Sequence, residues 1–416
     1  MITKIRQFSL WCGLLGLLVS GVSASFGAAA SPNAGQGWIT GWMTALQLTE
    51  PANMPPKPGL AGNTLRQDVV VTLDGGAARF TFSNAFGHTP LAIDAAAVAR
   101  TAKPGAGIQA GTSVPLLFAG KPGIVLEPGA SMVSDPVDLK VAAGEWLAIS
   151  IHMTSAPSAV TGHPGSRTTS FLALGNEVSA TELPVAATAE HWYFLSRIDV
   201  LTPLPAAACV VLGDSITDGR GSTTNHNNRW PDELARRLRE NPATSHIAVL
   251  NAGIGGNRLL RDGLGPNALS RFDRDVLAPT GVKWLIVLEG INDLGTRMGA
   301  EQHGWPYASA DDIIMAYRQI ITRAHAHHIR VYGATIMPYE DCFYFTKDGD
   351  AARQKVNAWI RTSGWFDGVI DFDAVMRDPK NPDHLSPAYD SGDHLHPSPI
   401  GHKAMGDAVD LALFSR

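Results

Sequence analysis

The chain has 416 residues, of which 45% are apolar and 17% are charged. This balance is typical of a globular protein, and the length suggests two or three domains of roughly 150 residues each. The formal net charge of −5 is spread along the chain without a basic block. That pattern argues against a nucleic-acid partner, because phosphate binding requires clustered lysine and arginine.

The first 30 residues have the pattern of a secretory signal peptide. Lys4 and Arg6 precede an apolar run that ends in small residues, which is the order of a cleaved export signal. Cleavage is predicted after Ala24 or Ala30. A membrane anchor is the alternative, since an apolar run of about 17 residues is at the lower limit for a bilayer span. Glycines, serines and the small-residue exit favour cleavage, so we expect an exported protein, periplasmic or extracellular, without stable membrane insertion.

Only two of the three cysteines, Cys209 and Cys342, follow the signal peptide. Cys12 lies within the signal and lacks the context of a lipidation site. Export permits a disulfide, but Cys209 falls in a predicted buried strand, so we expect two separate buried thiols. Two cysteines are too few for a disulfide scaffold or a four-cysteine zinc site.

Residues 37–203 have the pattern of a β-sandwich-like domain, with short apolar segments separated by glycine and proline. The segments 69–73 and 78–82 flank Asp74-Gly75-Gly76, which predicts a hairpin whose glycines take positive φ. Residues 146–153 alternate strictly and predict a strand. Its two faces carry Leu147, Ile149, Ile151 and Met153 on one side, and Ala148, Ser150 and His152 on the other.

Residues 204–208 are predicted to be a linker, and from about residue 207 to 416 the pattern changes to alternating strands and helices. Such alternation predicts an α/β domain with a parallel sheet covered by helices on both faces. The predicted strands are Cys209–Leu212, Ile247–Leu250, Trp284–Leu288, Val331–Ile336 and Val369–Phe372. Reactive groups in such a fold lie in the loops at the carboxyl ends of the strands.

Three helices are predicted in this half of the chain. The first covers 231–239, with Pro231 at its start, and the second covers 310–325, capped by Ser309. The second helix carries an apolar stripe at helical spacing. The last helix begins at Pro399 after Ser398 as its cap, an arrangement that is frequent at helix N-termini.

Ser215 follows the first of these strands by three residues, in the segment Val210–Gly219. Most serines after Gly-Asp are helix caps or turn residues, and a serine hydroxyl becomes a good nucleophile only where a base takes its proton. The segment 393–397 offers such a base in a loop before the last helix. Asp393, three residues before His396, can fold back and orient its ring. His394 is expected at the rim.

A second segment, Asp383-His384-Leu385-Ser386, resembles the first but has serine where the base would stand. A metal site built from these histidines and aspartates would match no familiar zinc spacing, so neither metal nor cofactor is expected. Two further strand ends offer donors for a developing oxyanion. They are the glycine-rich turn 251–256 and the segment 289–293, which contains Asn292; a flexible turn or a capping asparagine are the alternatives.

Taken together, the four segments resemble the blocks of the SGNH (GDSL) hydrolase family, in the same order and over the whole C-terminal half. The resemblance implies an SGNH-type three-layer α/β/α domain with a five-stranded parallel sheet. It also implies that Ser215, His396 and Asp393 form the catalytic triad. The backbone N–H groups of Ser215 and Gly256 and the side-chain amide of Asn292 would form the oxyanion hole.

The segment 213–238 is similar to one branch of this family in particular, the secreted arylesterases and acylhydrolases associated with xylan degradation. Residues 63–87 are similar to the β-domain that precedes the catalytic domain in that branch. One departure is Ile216, where the family motif has leucine; both are apolar, so we expect an effect on packing alone. The motif of the α/β-hydrolases would require glycine at the position of Thr217. In that fold the catalytic Asp and His also lie far apart in the chain, whereas Asp393 and His396 are three residues apart.

The branch resemblance implies hydrolysis of short acyl esters, acetyl above all, on plant polysaccharide. Arg220, Trp230 and Arg258 are candidate substrate contacts, with packing around the first helix as the equal alternative. Two other functions stay open: transfer of the acyl group to a cell-wall sugar, and glycan binding without turnover. The latter would use as stacking platforms the aromatic residues Trp38, Trp42, Trp192 and Tyr193, although such residues more often belong to the core.

Overall fold

The computed structural model describes residues 35–295 and 308–415. The predicted signal peptide lies outside the described residues, and so does Cys12. From residue 35 onward the described chain belongs to one compact unit. None of the helices in the described part of the chain is long and apolar enough to cross a bilayer. Cys209 and Cys342 are both buried free thiols, as predicted.

The first half of the chain consists of antiparallel sheets. Its strands are β1 (Gln36–Met43), β2 (Gln47–Leu48), β3 (Asn63–Val70), β4 (Ala77–Ser83), β5 (Leu91–Thr101), β6 (Val114–Pro115), β7 (Ile124–Leu126), β8 (Ser131–Val133), β9 (Trp146–Ser155), β10 (Thr161–His163), β11 (Ser170–Leu174), β12 (Val185–Ala189), β13 (Trp192–Tyr193) and β14 (Leu195–Pro203). A short 3₁₀ turn covers Pro51–Asn53.

These strands form a four-stranded sheet β1-β14-β4-β8, a sheet β12-β11-β3-β9-β5-β6 with β7 added to β5, and a small sheet β13-β10-β2. Leu147, Ile149 and Ile151 of β9 share a core with Phe80 and Phe82 of β4. The predicted strand at 146–153 is therefore confirmed, and it is buried on both faces.

The predicted hairpin around Gly75 and Gly76 is wrong. β3 pairs with β9 and β11, whereas β4 pairs with β14 and β8, so the chain crosses from one sheet to the other at this point. Gly75 and Gly76 are not among the glycines of the described residues that have positive φ. Gly75 is needed for space instead, since a Cβ there would lie 2.6 Å from Cβ of Val200.

The second half contains the predicted five-stranded parallel sheet, in the order β16-β15-β17-β18-β19. Its strands are β15 (Ala207–Gly213), β16 (Ile247–Gly253), β17 (Val282–Leu288), β18 (Arg330–Ala334) and β19 (Gly368–Ile370). All four neighbouring pairs are parallel. All five predicted strands are present, with ends shifted by at most three residues, and the fold class is confirmed.

Helices surround this sheet. They are α1 (Ser215–Asp218), α2 (Trp230–Glu240), α3 (Ala268–Phe272), α4 (Ile291–Gly295), α5 (Ala310–Ala326), α6 (Lys347–Thr362), α7 (Phe372–Met376) and α8 (Pro399–Ala408), with a π-helical turn at Asp273–Leu277 and a 3₁₀ turn at Leu411–Phe414. The three predicted helices are confirmed as α2, α5 and α8. Helix α6 was not predicted, because its buried face includes Arg353 and Asn357 beside Val356 and Ile360 and lacks a continuous apolar stripe.

The two halves pack directly against each other. Only residues 204–206 separate β14 from β15. The backbone N–H of Thr40 on β1 donates to the Thr280 carbonyl at 3.0 Å. The Thr72 hydroxyl accepts from the Val249 N–H at 3.1 Å. These contacts hold the β-rich half against the side of the parallel sheet.

Candidate active site

Ser215 lies at the first position of helix α1, directly beyond strand β15. Asp214 is the N-cap of this short helix, and its Oδ1 accepts the Ile216 N–H at 2.9 Å. Gly219 ends the helix with φ of 108°, a conformation that favours glycine. Asp214 thus shapes the turn, and Ile216 is buried beneath it with 2% exposure.

The loop before α8 brings His396 and Asp393 to Ser215. The Ser215 Oγ lies 2.8 Å from Nε2 of His396, and Nδ1 of His396 lies 2.6 Å from Oδ2 of Asp393. Because Nδ1 faces a carboxylate, it carries the ring proton, and Nε2 is left to accept from the serine hydroxyl. His396 is 5% exposed, so little water reaches this pair.

Asp393 remains ionised in this arrangement. Partial burial opposes the charge, but hydrogen bonds from the His396 ring and backbone and from the Leu395 N–H hold the pKa of Asp393 well below its usual range. Arg220 adds a positive charge 3.8 Å from Oδ2. A carboxylate that stays charged can stabilise an imidazolium on His396.

Gly256 and Asn292 line the same cleft as Ser215. Gly256 has φ of 67°, and Asn292 lies on α4, directly after strand β17. The Asn292 amide donates to the Asn257 carbonyl at 2.9 Å, which orients it. Asp293 accepts the Leu259 N–H at 2.8 Å and so fixes the chain just after the glycine-rich turn. The structure therefore brings together all five residues predicted for the triad and the oxyanion hole.

Arg271 ties the two strand ends beneath this site to each other. Its guanidinium donates to the Gly213 carbonyl at 3.1 Å and to the Ala252 carbonyl at 2.7 Å. It also donates to Oδ1 of Asn257 at 2.8 Å and pairs with Asp275 at 3.0 Å. This buried arginine was not singled out in the sequence, since nothing in its local pattern shows that its partners lie on other strands.

Three buried carboxyl groups lie around the same strand ends. Burial, reinforced by the neighbouring acids Asp293 and Asp218, raises the pKa of Asp214 to about 7. Burial likewise raises the pKa of Asp293 to about 6. Glu289 is fully enclosed, and burial followed by the charge of Asp214 raises its pKa well above the usual range. The three carboxyl groups beneath the site are therefore harder to ionise than exposed carboxyl groups.

The cleft has a volume of about 580 Å³ and is lined by both halves of the chain. The second half contributes the residues around Ser215 together with Phe343 and Tyr344. The β-rich half contributes a wall that the sequence did not predict. Its residues are Gln47, Glu50, Asn53, Pro164, Gly165, Arg167 and His191.

The three candidate substrate contacts lie in different environments. Arg220 lines the cleft, and its side chain is 61% exposed. Trp230 is fully buried, and its ring centroid lies 5.2 Å from that of Phe372. Its assignment as a substrate contact is therefore wrong. The residue packs helix α2 against the core instead. Arg258 is not among the residues that line the cleft.

Three other histidines, His384, His394 and His402, have partners of their own. His394 lies at the rim, 49% exposed and 2.8 Å from Asp390, as expected. His384 pairs with Glu340 and Asp341, each at 3.2 Å. His402 is buried and donates from Nε2 to the Arg220 carbonyl at 3.0 Å; burial lowers its pKa to about 4. Among the described residues, no cluster of three or more His, Cys, Asp or Glu side chains could hold a metal ion.

The proposed stacking platforms of the β-rich half are largely absent from its surface. Trp42, Trp192 and Tyr193 are buried, and the rings of Trp42 and Trp192 pack edge to face with centroids 5.1 Å apart. Trp38 is partly buried beneath the guanidinium of Arg79. The interpretation of the three buried aromatics as glycan contacts is therefore wrong, and they belong to the core.

Residues 211–404 match the sequence model of the GDSL-like Lipase/Acylhydrolase family. Solved structures with a similar fold include a GDSL-like lipase from Bacteroides thetaiotaomicron VPI-5482, at 20% identity and a TM-score of 0.38, covering 50% of this chain and 87% of that chain. A catalytic mutant of an acetylxylan esterase from Geobacillus stearothermophilus has 19% identity and a TM-score of 0.39, covering 50% of this chain and 94% of its own.

A carbohydrate acetylesterase from Sinorhizobium meliloti has 15% identity and a TM-score of 0.38, covering 49% of this chain and 95% of its own. No curated protein matches this chain. Each of these alignments covers about half of this chain.

Proposed function

We propose that the protein is a secreted serine esterase acting on acetylated plant polysaccharide. The match of residues 211–404 to the sequence model of the GDSL-like Lipase/Acylhydrolase family supports a carboxylic ester hydrolase. The observation that carries the proposal is the continuous chain of contacts from Ser215 through His396 to Asp393, at 2.8 and 2.6 Å. It supplies a base for the serine and an acid that orients the base.

In the proposed mechanism, His396 Nε2 takes the hydroxyl proton as Ser215 Oγ attacks the ester carbonyl. The backbone N–H groups of Ser215 and Gly256 and the Asn292 amide donate to the oxyanion of the tetrahedral intermediate. His396 then gives its proton to the leaving alcohol, and an acyl-enzyme remains on Ser215. Water, deprotonated by His396, repeats the attack and releases the acid and the free serine.

The proposed substrate is a short acyl ester of a polar alcohol. The cleft beside Ser215 is lined by charged and polar groups such as Glu50, Arg167 and Arg220, with apolar residues along another part. Polar lining suits a hydroxyl-rich alcohol better than a long hydrocarbon chain, which would leave these groups without hydrogen-bond partners.

Release of acetate from acetylated xylan tests this function directly. The wild-type protein is expected to release acetate from xylan faster than from acetylated pectin, and to hydrolyse C8 esters poorly. Ser215→Ala is expected to lose the activity, and a serine-directed phosphonate is expected to label only the wild type. An unlabelled wild-type protein, or a Ser215→Ala variant with wild-type activity on p-nitrophenyl acetate, would refute the mechanism.

Export is the second part of the proposal, and it rests on the pattern of residues 1–30. The mature protein is expected outside the cytoplasm, with its N-terminus at Ser25 or Ser31. N-terminal sequencing of the extracellular and periplasmic fractions tests it. An uncleaved protein that stays with the membrane would favour the anchor instead.

A further inference from the structure

We propose that the β-rich half forms a substrate-binding wall of the active site, and that Arg167 on this wall binds the sugar part of the ester. This inference rests on the proposed esterase function and names the side of the cleft that determines specificity. Glu50, Asn53, Arg167 and His191 line the same cleft as Ser215. A substrate whose carbonyl reaches Ser215 therefore has this wall beside it.

The backbone of Arg167 is held in an unusual conformation. Its φ is 49°, in the left-handed region that few residues other than glycine adopt. The Arg167 carbonyl accepts the Asn225 N–H at 2.9 Å. The Asn225 side chain also accepts from the Thr169 N–H at 2.8 Å and donates to the Thr169 hydroxyl at 2.9 Å. Such strained residues persist where their surroundings fix them, and they cluster at binding sites.

This anchoring comes from the other half of the chain. Asn225 belongs to the loop that follows Ser215, and Arg229 at the end of that loop donates to the Ser166 carbonyl at 3.3 Å. The position of Arg167 is thus coupled to the loop next to the predicted nucleophile. A rigid support of this kind is what precise substrate contacts require.

The Arg167 guanidinium is only partly neutralised. Its Nη2 lies 3.8 Å from Oδ2 of Asp218, longer than a hydrogen bond. The other oxygen of Asp218 lies 2.9 Å from Nε2 of His163, so Asp218 is shared between Arg167 and His163. The Nε of Arg167 is buried and has no hydrogen-bond partner among the described residues. The side chain is 30% exposed, so its terminal N–H groups, rather than the buried Nε, can donate to a ligand in the cleft.

Acceptors lie on the same wall. The Glu50 carboxylate accepts from the Gln47 amide at 2.6 Å and from the Asn53 amide at 3.0 Å, which fixes its position. Nδ1 of His191 lies 2.6 Å from the Pro164 carbonyl and must donate to it, so Nε2 of the neutral ring is an acceptor. Guanidinium donors beside carboxylate and imidazole acceptors match hydroxyl groups, which both donate and accept.

Phe343 and Tyr344 of the second half add an apolar surface to the same cleft. Phe343 is 79% exposed, and its ring centroid lies 4.5 Å from that of Tyr344. A sugar ring has apolar C–H faces and polar hydroxyl edges. It can therefore rest on Phe343 while its hydroxyls meet the wall that carries Arg167.

The test compares two substrates in wild type and Arg167→Asn. Asparagine tolerates positive φ, so the variant removes the guanidinium with little change of backbone. We expect kcat/KM on acetylated xylo-oligosaccharide to fall about tenfold or more, mainly through KM, because one charge-assisted hydrogen bond to the sugar is lost. On p-nitrophenyl acetate, which has no sugar, kcat/KM is expected to stay within about twofold. Lys121→Gln, an exposed cation outside the cleft, is the control and should change neither value.

The outcomes separate the two proposals. If the wild type hydrolyses both substrates and Arg167→Asn changes neither rate, or lowers both equally, the wall proposal is overturned and the esterase function stands. If the wild type hydrolyses neither substrate, the proposed function itself fails. Phosphonate labelling of Ser215 in the variant shows that the active site is folded, so an unfolded variant cannot imitate the expected result.

Discussion

Asp393 holds His396 through both of its carboxylate oxygens. Oδ2 lies 2.6 Å from Nδ1 of the ring, while Oδ1 accepts the backbone N–H of the same residue at 2.8 Å. The second contact fixes the turn and the first fixes the ring, so a single side chain sets both the position and the tautomer of the predicted base. The three-residue spacing between the two residues makes this double contact possible.

Asp393→Asn tests the importance of the charge on this residue. Its amide would offer an N–H to Nδ1 of His396, which favours a proton on Nε2 and removes the acceptor for the Ser215 hydroxyl. We expect kcat on p-nitrophenyl acetate to fall by about 10³–10⁴-fold in a protein that still unfolds cooperatively. His394→Asn is the matched control, since His394 has φ of 60° and lies at the rim. Activity in Asp393→Asn within tenfold of wild type would rule out this role.

Asn292→Ala is expected to lower kcat by about 10²–10³-fold, the usual effect of one lost oxyanion donor. The variant also leaves the Asn257 carbonyl without the hydrogen bond it accepts from Asn292 at 2.9 Å. Steady-state kinetics on p-nitrophenyl acetate separate the two effects. Loss of an oxyanion donor appears in kcat, because the charge develops only in the transition state. A change confined to KM would contradict the assignment.

Trp230 distinguishes packing from substrate contact. We expect Trp230→Ala to lower the free energy of unfolding by about 3–5 kcal/mol, the range for a deleted buried aromatic. Trp230→Phe should cost much less, since the indole N–H is buried without a partner among the described residues. Denaturant unfolding measures both variants, and Trp365→Ala, at a 38% exposed site, serves as the surface control. A large fall in kcat/KM for Trp230→Phe would restore the substrate assignment.

The predicted site residues could be found in the sequence because each follows a strand or precedes the last helix. Parallel strands bring their carboxyl ends to one edge, so Ser215, Gly256 and Asn292 meet without any knowledge of side-chain packing. The wall carrying Arg167 could not be found in this way. Its place depends on contacts between segments far apart in the chain, such as the hydrogen bonds of Asn225 to Thr169, and these have no local signature.

The error around Gly75 has a related cause. Two apolar segments joined by Asp-Gly-Gly indicate a change of direction, but they do not say whether the second strand returns to the same sheet. Here β4 joins the opposite sheet, and the close approach of Val200 explains the glycine. Helix α6 was missed for a similar reason. Its buried Arg353 pairs with Asp350 and Asp373 at 2.6 and 2.9 Å, and these ion pairs stabilise the buried charge. A search for apolar residues at helical spacing does not detect such a helix.

The buried acids beneath the site predict a pH-dependent stability. Burial raises the pKa of Asp214 from its ordinary value of 3.8 to about 7, so the folded state binds more protons than the unfolded state between these values. The contribution of Asp214 is therefore fully present below about pH 4 and is lost as the pH rises through about 7. Asp214→Asn preserves the acceptor for the Ile216 N–H and removes the titration.

The free energy of unfolding, measured in urea from pH 4 to 7, should therefore fall less steeply in Asp214→Asn than in wild type. The difference in slope should approach that of one proton, about 1.4 kcal/mol per pH unit. Asp393→Asn provides a control of opposite sign, since the pKa of Asp393 is lowered by its hydrogen bonds despite partial burial. Its stabilising effect is lost only as the pH falls below about 4, so its slope above that pH should match the wild type. Parallel profiles for Asp214→Asn and wild type would show that Asp214 is already ionised in the folded protein throughout this range.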